Sequence, residues 1–123
     1  MKHNFFIVDD DDIFNTISLA VINRMDPEAQ ITVYQSSAGA LSEIKLKTFT
    51  NTIFLFDIRM PSIDGFKLLD AISELPESSF TNCKFYLLTS SLDERDRLKG
   101  LAYKCVTGFI EKPLTTDKLK SVF

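Results

Sequence analysis

The sequence lacks the features that mark membrane, secreted and nucleic-acid-binding proteins. No apolar run approaches the ~18 residues that a membrane-spanning helix requires. The first four residues carry no basic start, apolar stretch and small-residue cleavage site of the kind found in signal peptides. Lysine and arginine are scattered, and the net charge of −3 argues against nucleic-acid binding by this chain alone. We therefore expect a cytoplasmic protein with neither a membrane nor a nucleic-acid partner.

Cysteine and histidine are also scarce, and their spacing excludes the common metal and redox motifs. Cys83 and Cys105 form no CxxC pair, and the one histidine, His3, lies near the amino terminus. A zinc site or a redox-active pair would need closely spaced cysteines or partner histidines. We interpret both cysteines as structural thiols of a reducing compartment.

The sequence does contain an alternation of short apolar segments and longer amphipathic ones. A chain of 123 residues is long enough for one domain with a real core and too short for two. The candidate strands are residues 4–9, 30–35, 52–56, 84–88 and 108–110. The candidate helices are residues 13–25, 38–47, 64–75 and 94–103, and a short fifth helix from 116. Alternating strands and helices with short connections predict an α/β domain, in which a parallel sheet has helices on both faces.

Local signals place the ends and faces of these helices. Asp12 and Asp64 are the expected N-caps of the first and third helices. Gly100 is expected to weaken the fourth helix by up to ~1 kcal/mol relative to alanine. Residues 76–83 are predicted to form a polar loop. The predicted apolar face of the first helix contains Ile13, Ile17, Ala20, Val21 and Met25.

Carboxylates follow two of the most apolar strands. Residues 53–56 are continuously apolar and precede Asp57, and residues 5–8 precede the run of four aspartates from Asp9 to Asp12. Continuous apolar runs predict strands that are buried on both faces. Open α/β sheets place their chemistry at the carboxyl ends of the strands. If the two strands are neighbours, their aspartates form one acidic pocket, which needs a hard cation.

Four short motifs, each at the end of an expected strand, resemble those of the receiver domains of two-component response regulators. In chain order they are Val8-Asp9-Asp10, Asp57 with Met60-Pro61 and Asp64-Gly65, Leu88-Thr89-Ser90, and Phe109-Ile110-Glu111-Lys112-Pro113. They resemble the acidic pair, the phosphoacceptor with its turn, the hydroxyl-bearing strand end, and the switch aromatic with its Lys-Pro. Each motif is weak alone, but all four occur in the expected order over nearly the whole chain.

The resemblance implies a flavodoxin-like, doubly wound, five-stranded parallel sheet of order 2-1-3-4-5, with the first and third strands side by side. Residues 1–123 are then expected to be one receiver domain with a short last helix. Either this receiver works alone or it was cut from a longer protein. We favour the first alternative, because Leu119, Val122 and Phe123 can already cover the sheet.

The resemblance also implies a metal-assisted reaction at the acidic pocket. Asp57 would be the nucleophile that accepts a phosphoryl group. Mg²⁺ would be held by Asp10 and Asp57 directly, by Asp9 through water, and by the backbone carbonyl of Arg59. Its charge would offset the repulsion between an anionic donor and an acidic site.

Three further residues take roles from the same resemblance. Lys112 would pair with Asp57 before the reaction and with a phosphoryl oxygen afterwards. Thr89 would hydrogen-bond the phosphoryl group, and Phe109 would be the switch aromatic that alters the surface of the fourth helix, fifth strand and fifth helix. The plainer alternatives are a surface lysine, a strand-end hydroxyl bound to backbone, and a core phenylalanine.

Two flanking residues are expected to tune the lifetime of the phosphoryl group. Arg59 lies two residues after Asp57, and Ser91 lies two after Thr89. Neither offers an acid or an amide that could orient an attacking water. We therefore expect slow loss of the phosphoryl group, with Arg59 reaching over it unless that side chain points to solvent or meets Glu111.

The implied partners are a sensor histidine kinase or a histidine phosphotransfer protein, together with an output partner of unknown identity. Phe14 and the Lys112-Pro113 turn are expected to lie at the kinase contact, although Phe14 has an equally good alternative as a core residue.

Two other functions stay open. A haloacid-dehalogenase-like phosphatase also uses a strand-end aspartate with Mg²⁺, but it needs a second aspartate where this chain has Arg59. A degenerate receiver would act only as an interaction module, although all five expected pocket residues are present here. A dinucleotide site is excluded, because aspartates replace the G-x-G-x-x-G that should follow the first strand.

Overall fold

The computed structural model describes residues 3–90 and 93–123. Five strands form the main parallel sheet: β1 (Asn4–Val8), β2 (Gln30–Tyr34), β4 (Thr52–Asp57), β6 (Lys84–Thr89) and β7 (Val106–Glu111). Two short strands, β3 (Phe49–Thr50) and β5 (Phe80–Thr81), form a separate parallel pair. The helices are α1 (Asp12–Met25), α2 (Ser37–Leu46), α3 (Gly65–Ser73), α4 (Glu94–Leu101) and α5 (Thr116–Lys120), with a 3₁₀ turn at Glu77–Ser79. None of these helices is both long and apolar enough to cross a bilayer.

The order of the main sheet is β2-β1-β4-β6-β7, which confirms the predicted doubly wound arrangement. β1 lies between β2 and β4, so that Val8 is level with Tyr34 on one side and with Phe56 on the other. β4 in turn pairs with β6, and Asp57 is level with Leu88. The carboxyl ends of β1, β4 and β6 therefore meet at one edge of the sheet.

The core consists of two hydrophobic layers, one on each face of the sheet. Alternate side chains of β1 and β4 enter opposite layers: Phe6 and Phe54 pack with α2 and α3, whereas Phe5 and Leu55 pack with α1 and α5. Every residue of β4 is buried. The continuous apolar run before Asp57 is thus explained by a central strand that is covered on both faces.

The predicted buried face of α1 is wrong at the amino-terminal end of the helix, whereas Val21 and Met25 pack against the core as predicted. The helix buries Phe14, Ser18 and Ile22, whereas Ile13 is 73% exposed. The side-chain amide of Asn15 donates to the backbone oxygen of Asp9 at 2.9 Å, and this bond fixes the rotation of the helix as the chain leaves β1. Ile17 is exposed as well.

The predicted N-cap of α1 is also wrong by one residue. Asp11, not Asp12, has the extended backbone of a cap, and its Oδ1 accepts from the backbone N–H groups of Ile13 and Phe14. Asp64 caps α3 as predicted, accepting from the backbone N–H of Lys67 at 3.0 Å.

The segment predicted as a polar loop contains structure of its own. The 3₁₀ turn and β5 lie within it, and the Phe80 ring stacks on the Phe49 ring with centroids 5.9 Å apart. A two-residue strand has too short a pattern to be identified from sequence. The other boundaries agree with the predictions to within two residues.

Candidate functional site

Three aspartates lie together at the carboxyl edge of the sheet. Asp9 follows β1 directly, Asp57 ends β4, and the two strands are neighbours. One carboxylate oxygen from each of Asp9, Asp10 and Asp57 lies within 4.8 Å of the others. Asp9 and Asp57 are buried, whereas Asp10 is exposed. The pocket therefore contains two buried carboxylates and one carboxylate that is exposed to solvent.

Lys112 provides the positive charge of the pocket. Its Nζ lies 2.7 Å from Oδ2 of Asp9 and 3.3 Å from Oδ2 of Asp57. The ammonium group also lies 4.6 Å from the ring centroid of Phe14, within the range of a cation–π contact. The backbone N–H of Lys112 donates to the carbonyl of Thr89 at 2.8 Å, and the Lys112–Pro113 peptide bond is cis. β7 thus delivers this lysine to the aspartates from the far side of β6.

The electrostatics of the pocket are those of crowded carboxylates with too little positive charge. Burial and the nearby charge of Asp9 raise the pKa of Asp57 to about 6, although Lys112 and the backbone N–H of Arg59 act in the opposite direction. For Lys112, burial opposes the charged form, but the hydrogen bond and charge of Asp9, with those of Asp57, raise its pKa above the usual value. One lysine therefore does not fully compensate the buried acids.

The donor set fits a hard divalent cation. Three carboxylates converge, with oxygen as the only ligand atom, and Mg²⁺ prefers such ligands. Burial, followed by the charge of Asp9, raises the pKa of Asp57, and a bound cation would favour its ionised form. Asp9, Asp10 and Asp57 are the residues that could hold such an ion.

Asp57→Asn is expected to raise the free energy of unfolding at pH 7 by about 1 to 3 kcal/mol when divalent cations are chelated. The pKa of Asp57 in the folded protein is about 6, above its ordinary value of 3.8, so ionisation disfavours folding. This penalty is fully present above pH 6 and disappears as the pH falls from 6 towards 4. Urea unfolding at pH 7 and at pH 4 measures it. Asp12→Asn, outside the pocket, is the control and should show no gain. A gain of the same size at both pH values would contradict the electrostatic origin.

Thr89 lies on β6, the strand beside Asp57, and Phe109 lies on β7, the next strand along the sheet. Thr89 ends β6 at the same edge, is buried, and is level with Glu111 of β7. The Phe109 ring is partly buried and packs against α4 at Gly100. A Cβ atom at Gly100 would lie only 2.6 Å from Cζ of Phe109 and 3.0 Å from Cδ1 of Leu87. Gly100, which we predicted only to weaken α4, is thus what leaves room for the ring.

The Arg59 side chain is largely exposed, but it forms an ion pair with α4 and not with Glu111. Its Nη2 lies 2.6 Å from Oδ2 of Asp96 and 3.9 Å from Oδ2 of Asp93, both at the start of α4. Sequence reasoning missed Asp96, because a carboxylate in the first turn of a helix is commonplace and the two residues are 37 positions apart. Ser91, the other residue predicted to tune lifetime, lies outside the described residues.

Phe14 proves to be a core residue, the plainer of its two alternatives. Its side chain is 4% exposed and packs with the layer that contains α1 and α5. Because it faces inward and supports the Lys112 ammonium, it presents no docking surface, and its predicted role in the kinase contact is wrong.

The fold and this edge define a class, namely a doubly wound α/β domain with an acidic pocket that is closed by one lysine. A family model described as the response regulator receiver domain matches residues 5–123. The chain belongs to the response regulator receiver family.

Similar proteins of known sequence and structure agree with this. The chain is 34% identical over 111 residues to protein-glutamate methylesterase/protein-glutamine glutaminase 3 of two Leptospira interrogans strains. The alignment covers 88% of this chain but only 29% of the relative, so the chain spans under a third of the length of these curated proteins.

Among solved structures, a two-component response regulator from Cytophaga hutchinsonii is 31% identical with a TM-score of 0.82, over 98% of this chain and 92% of that one. A response regulator receiver protein from Dyadobacter fermentans has a TM-score of 0.86 at 19% identity, over 99% and 94%. The second likeness concerns the fold alone.

Proposed function

We propose that this domain accepts a phosphoryl group on Asp57 from a histidine kinase or a histidine phosphotransfer protein and then changes the surface formed by α4, β7 and α5. The observation that carries the proposal is the convergence of three carboxylates and the Lys112 ammonium at one edge of the sheet. Membership of the receiver family supports the same assignment.

The reaction follows from how the Asp57 carboxylate is held. Its Oδ1 accepts from the backbone N–H of Arg59 at 3.3 Å, and its Oδ2 faces Lys112. A carboxylate oxygen attacks phosphorus, and an O–P bond forms as the N–P bond to the donor imidazole breaks and its electron pair returns to nitrogen. Lys112 is anchored by Asp9, so it can pair with an oxygen of the phosphoryl group as its contact with Asp57 is lost.

Mg²⁺ would be held by Asp9, Asp10, Asp57 and the carbonyl oxygen of Arg59. Bound there, it supplies positive charge that the single lysine does not, and so offsets the negative charge of the phosphoryl oxygens. The Thr89 hydroxyl donates to one of those oxygens. The test is incubation of the purified domain with acetyl phosphate and Mg²⁺, followed by intact mass measurement, which should show addition of one phosphoryl group.

The proposed catalysis is limited to addition and loss of this phosphoryl group. The methylesterase and glutaminase named for the Leptospira relatives are not assigned to this domain, which spans 29% of those proteins. Within the domain, Leu119 and Val122 are buried beside α1, so the short α5 covers its part of the sheet. The phosphatase alternative gains no support, because Arg59 binds α4 where that family requires an acid.

The contact surface for the phosphoryl donor is best placed on α1. The helix begins beside the acidic pocket. Ile13 and Ile17 are exposed on the face that is turned away from the core. These two side chains replace Phe14 as the candidates for apolar contact with a kinase or phosphotransfer protein. Output is best placed on α4, where Leu98 and Leu101 are exposed.

We expect Thr89 and Phe109 to move together when a phosphoryl mimic binds. A hydroxyl that is drawn towards Asp57 leaves space beside β7 that a neighbouring ring can occupy, and departure of the Phe109 ring from Gly100 loosens α4. Amide hydrogen exchange in α4 and β7, with and without beryllofluoride and Mg²⁺, measures the change. Unaltered exchange in both elements would place the switch elsewhere.

A glycine substitution gives an independent check on the ring. Gly100→Ala puts a methyl group where the ring now lies, so the α4 and β7 exchange pattern should shift even without the mimic. Gly39→Ala in α2 is the matched control, since its new Cβ would come no closer than 3.3 Å to its nearest neighbour, the Tyr34 ring. Equal effects of the two substitutions would show a general loss of helix packing instead.

A further inference from the structure

α4 buries few of its side chains against the domain. Its buried residues are Asp96 and Gly100, and both leucines of the helix are exposed. The apolar contact at Gly100 is with Phe109 and Leu87. A helix held in this way depends strongly on its polar contacts.

The polar contact at the start of α4 is the ion pair between Arg59 and Asp96. Asp96 is 8% exposed, and its Oδ2 accepts from Nη2 of Arg59 at 2.6 Å. Its backbone N–H is bound separately by Oδ1 of Asp93, the N-cap. A nearly buried carboxylate that loses its cationic partner is left with an uncompensated charge. The ion pair with Arg59 therefore stabilises the first turn of α4 in addition to the N-cap.

Arg59 also lies two residues after the proposed phosphoacceptor, Asp57. Its backbone N–H is bound to Oδ1 of Asp57, which holds its Cα beside the pocket. Its side chain is 70% exposed, so it can reorient without unpacking the core. A phosphoryl group carries about two negative charges and three acceptor oxygens, and planar guanidinium groups bind such oxygens in pairs.

We propose that Asp96 and the phosphoryl group on Asp57 compete for Arg59, so that phosphorylation releases the first turn of α4 through this ion pair. This competition rests on the proposed function. It would change α4 in addition to the proposed movement of Thr89 and Phe109. Asp96 is then a positioning residue: it holds the guanidinium away from the pocket until a stronger anion forms. By linkage, whatever weakens the pair at Asp96 strengthens the hold of Arg59 on the phosphoryl group.

The first test uses the unphosphorylated protein. Arg59→Gln should increase amide exchange in the first turn of α4 by roughly two- to fivefold, the range for loss of a partly exposed ion pair. Adding beryllofluoride and Mg²⁺ should then change that turn little further. Arg97→Gln is the matched control, because Arg97 pairs with Glu94 inside the same helix at 2.6 Å. In that variant the response to beryllofluoride should persist.

The second test measures the lifetime of the phosphoryl group, which a merely structural role of Asp96 would not alter. Asp96→Asn frees Arg59 and should slow phosphoryl loss by roughly two- to fivefold, whereas Arg59→Gln should not slow it. If both variants take up the phosphoryl group but keep the wild-type lifetime and the wild-type α4 response, the competition is overturned.

Failure of the proposed function has a different signature. Intact mass would show no phosphoryl group on the wild-type protein, while the exchange difference between wild type and Arg59→Gln would remain. That outcome keeps the ion pair as a support of α4 and removes the competition.

Discussion

Asp57→Asn should abolish the phosphoryl adduct that we expect wild-type protein to form with acetyl phosphate and Mg²⁺. The amide has no anionic oxygen to attack phosphorus, and it also removes the charge that faces Lys112. Intact mass measurement over a time course gives the result directly. The same substitution is expected to stabilise the metal-free fold at pH 7, so the variant should be at least as well folded as the metal-free wild-type protein.

Asp64, seven residues after Asp57, provides a matched control for this substitution. Asp64→Asn makes the same chemical change at the N-cap of α3, where asparagine caps about as well as aspartate. This variant should form the adduct at close to the wild-type rate. A phosphoryl group that persists on Asp57→Asn would show that another residue is the acceptor.

Asp10→Asn should weaken Mg²⁺ binding at least about tenfold, which is the lower end of the loss seen even for residues that only support metal ligands. Asp10 is one of the three carboxylates that converge, and because it is exposed its loss leaves the core intact. Calorimetric titration with Mg²⁺ at pH 7.5 measures the affinity. Asp12→Asn is the control, since that residue lies in the first turn of α1 and outside the cluster.

The same titration has a predictable pH dependence. Protons and Mg²⁺ compete for Asp57, whose pKa is about 6, so affinity should fall as the pH is lowered through 6. Equal losses of affinity from Asp10→Asn and Asp12→Asn would contradict the assignment of ligands.

The parts of the fold that could be predicted are those that repeat a local pattern. The five long strands and the helices between them follow from apolar runs and helical spacing. The acidic pocket was predictable because Asp9 and Asp57 lie at the carboxyl ends of apolar runs, and the resemblance to receivers placed those strands side by side. An apolar run or a helical spacing is visible within a single segment, so it does not depend on how distant elements are oriented.

The parts that could not be predicted depend on tertiary arrangement. The Asn15 side chain donates a hydrogen bond to the backbone oxygen of Asp9, just after β1, and α1 is turned accordingly. Ile13 and Ile17, which suggest an apolar face, therefore point outward. The Arg59–Asp96 pair joins the segment after β4 to the first turn of α4, which follows β6, so it depends on the pairing of these two strands. Gly100 has a cost within its own helix, and its benefit lies in the Phe109 ring on another strand.

The small inner face of α4 has a consequence for how such a domain can diversify. Two of its eight positions are buried and five are exposed, and the exposed ones can change with little effect on the fold, since substitutions at exposed sites usually alter stability by less than about 0.5 kcal/mol. A lineage could therefore exchange one downstream target for another by altering this helix alone. The proposed phosphorylation at Asp57 would stay the same, while the partner that binds α4 would change.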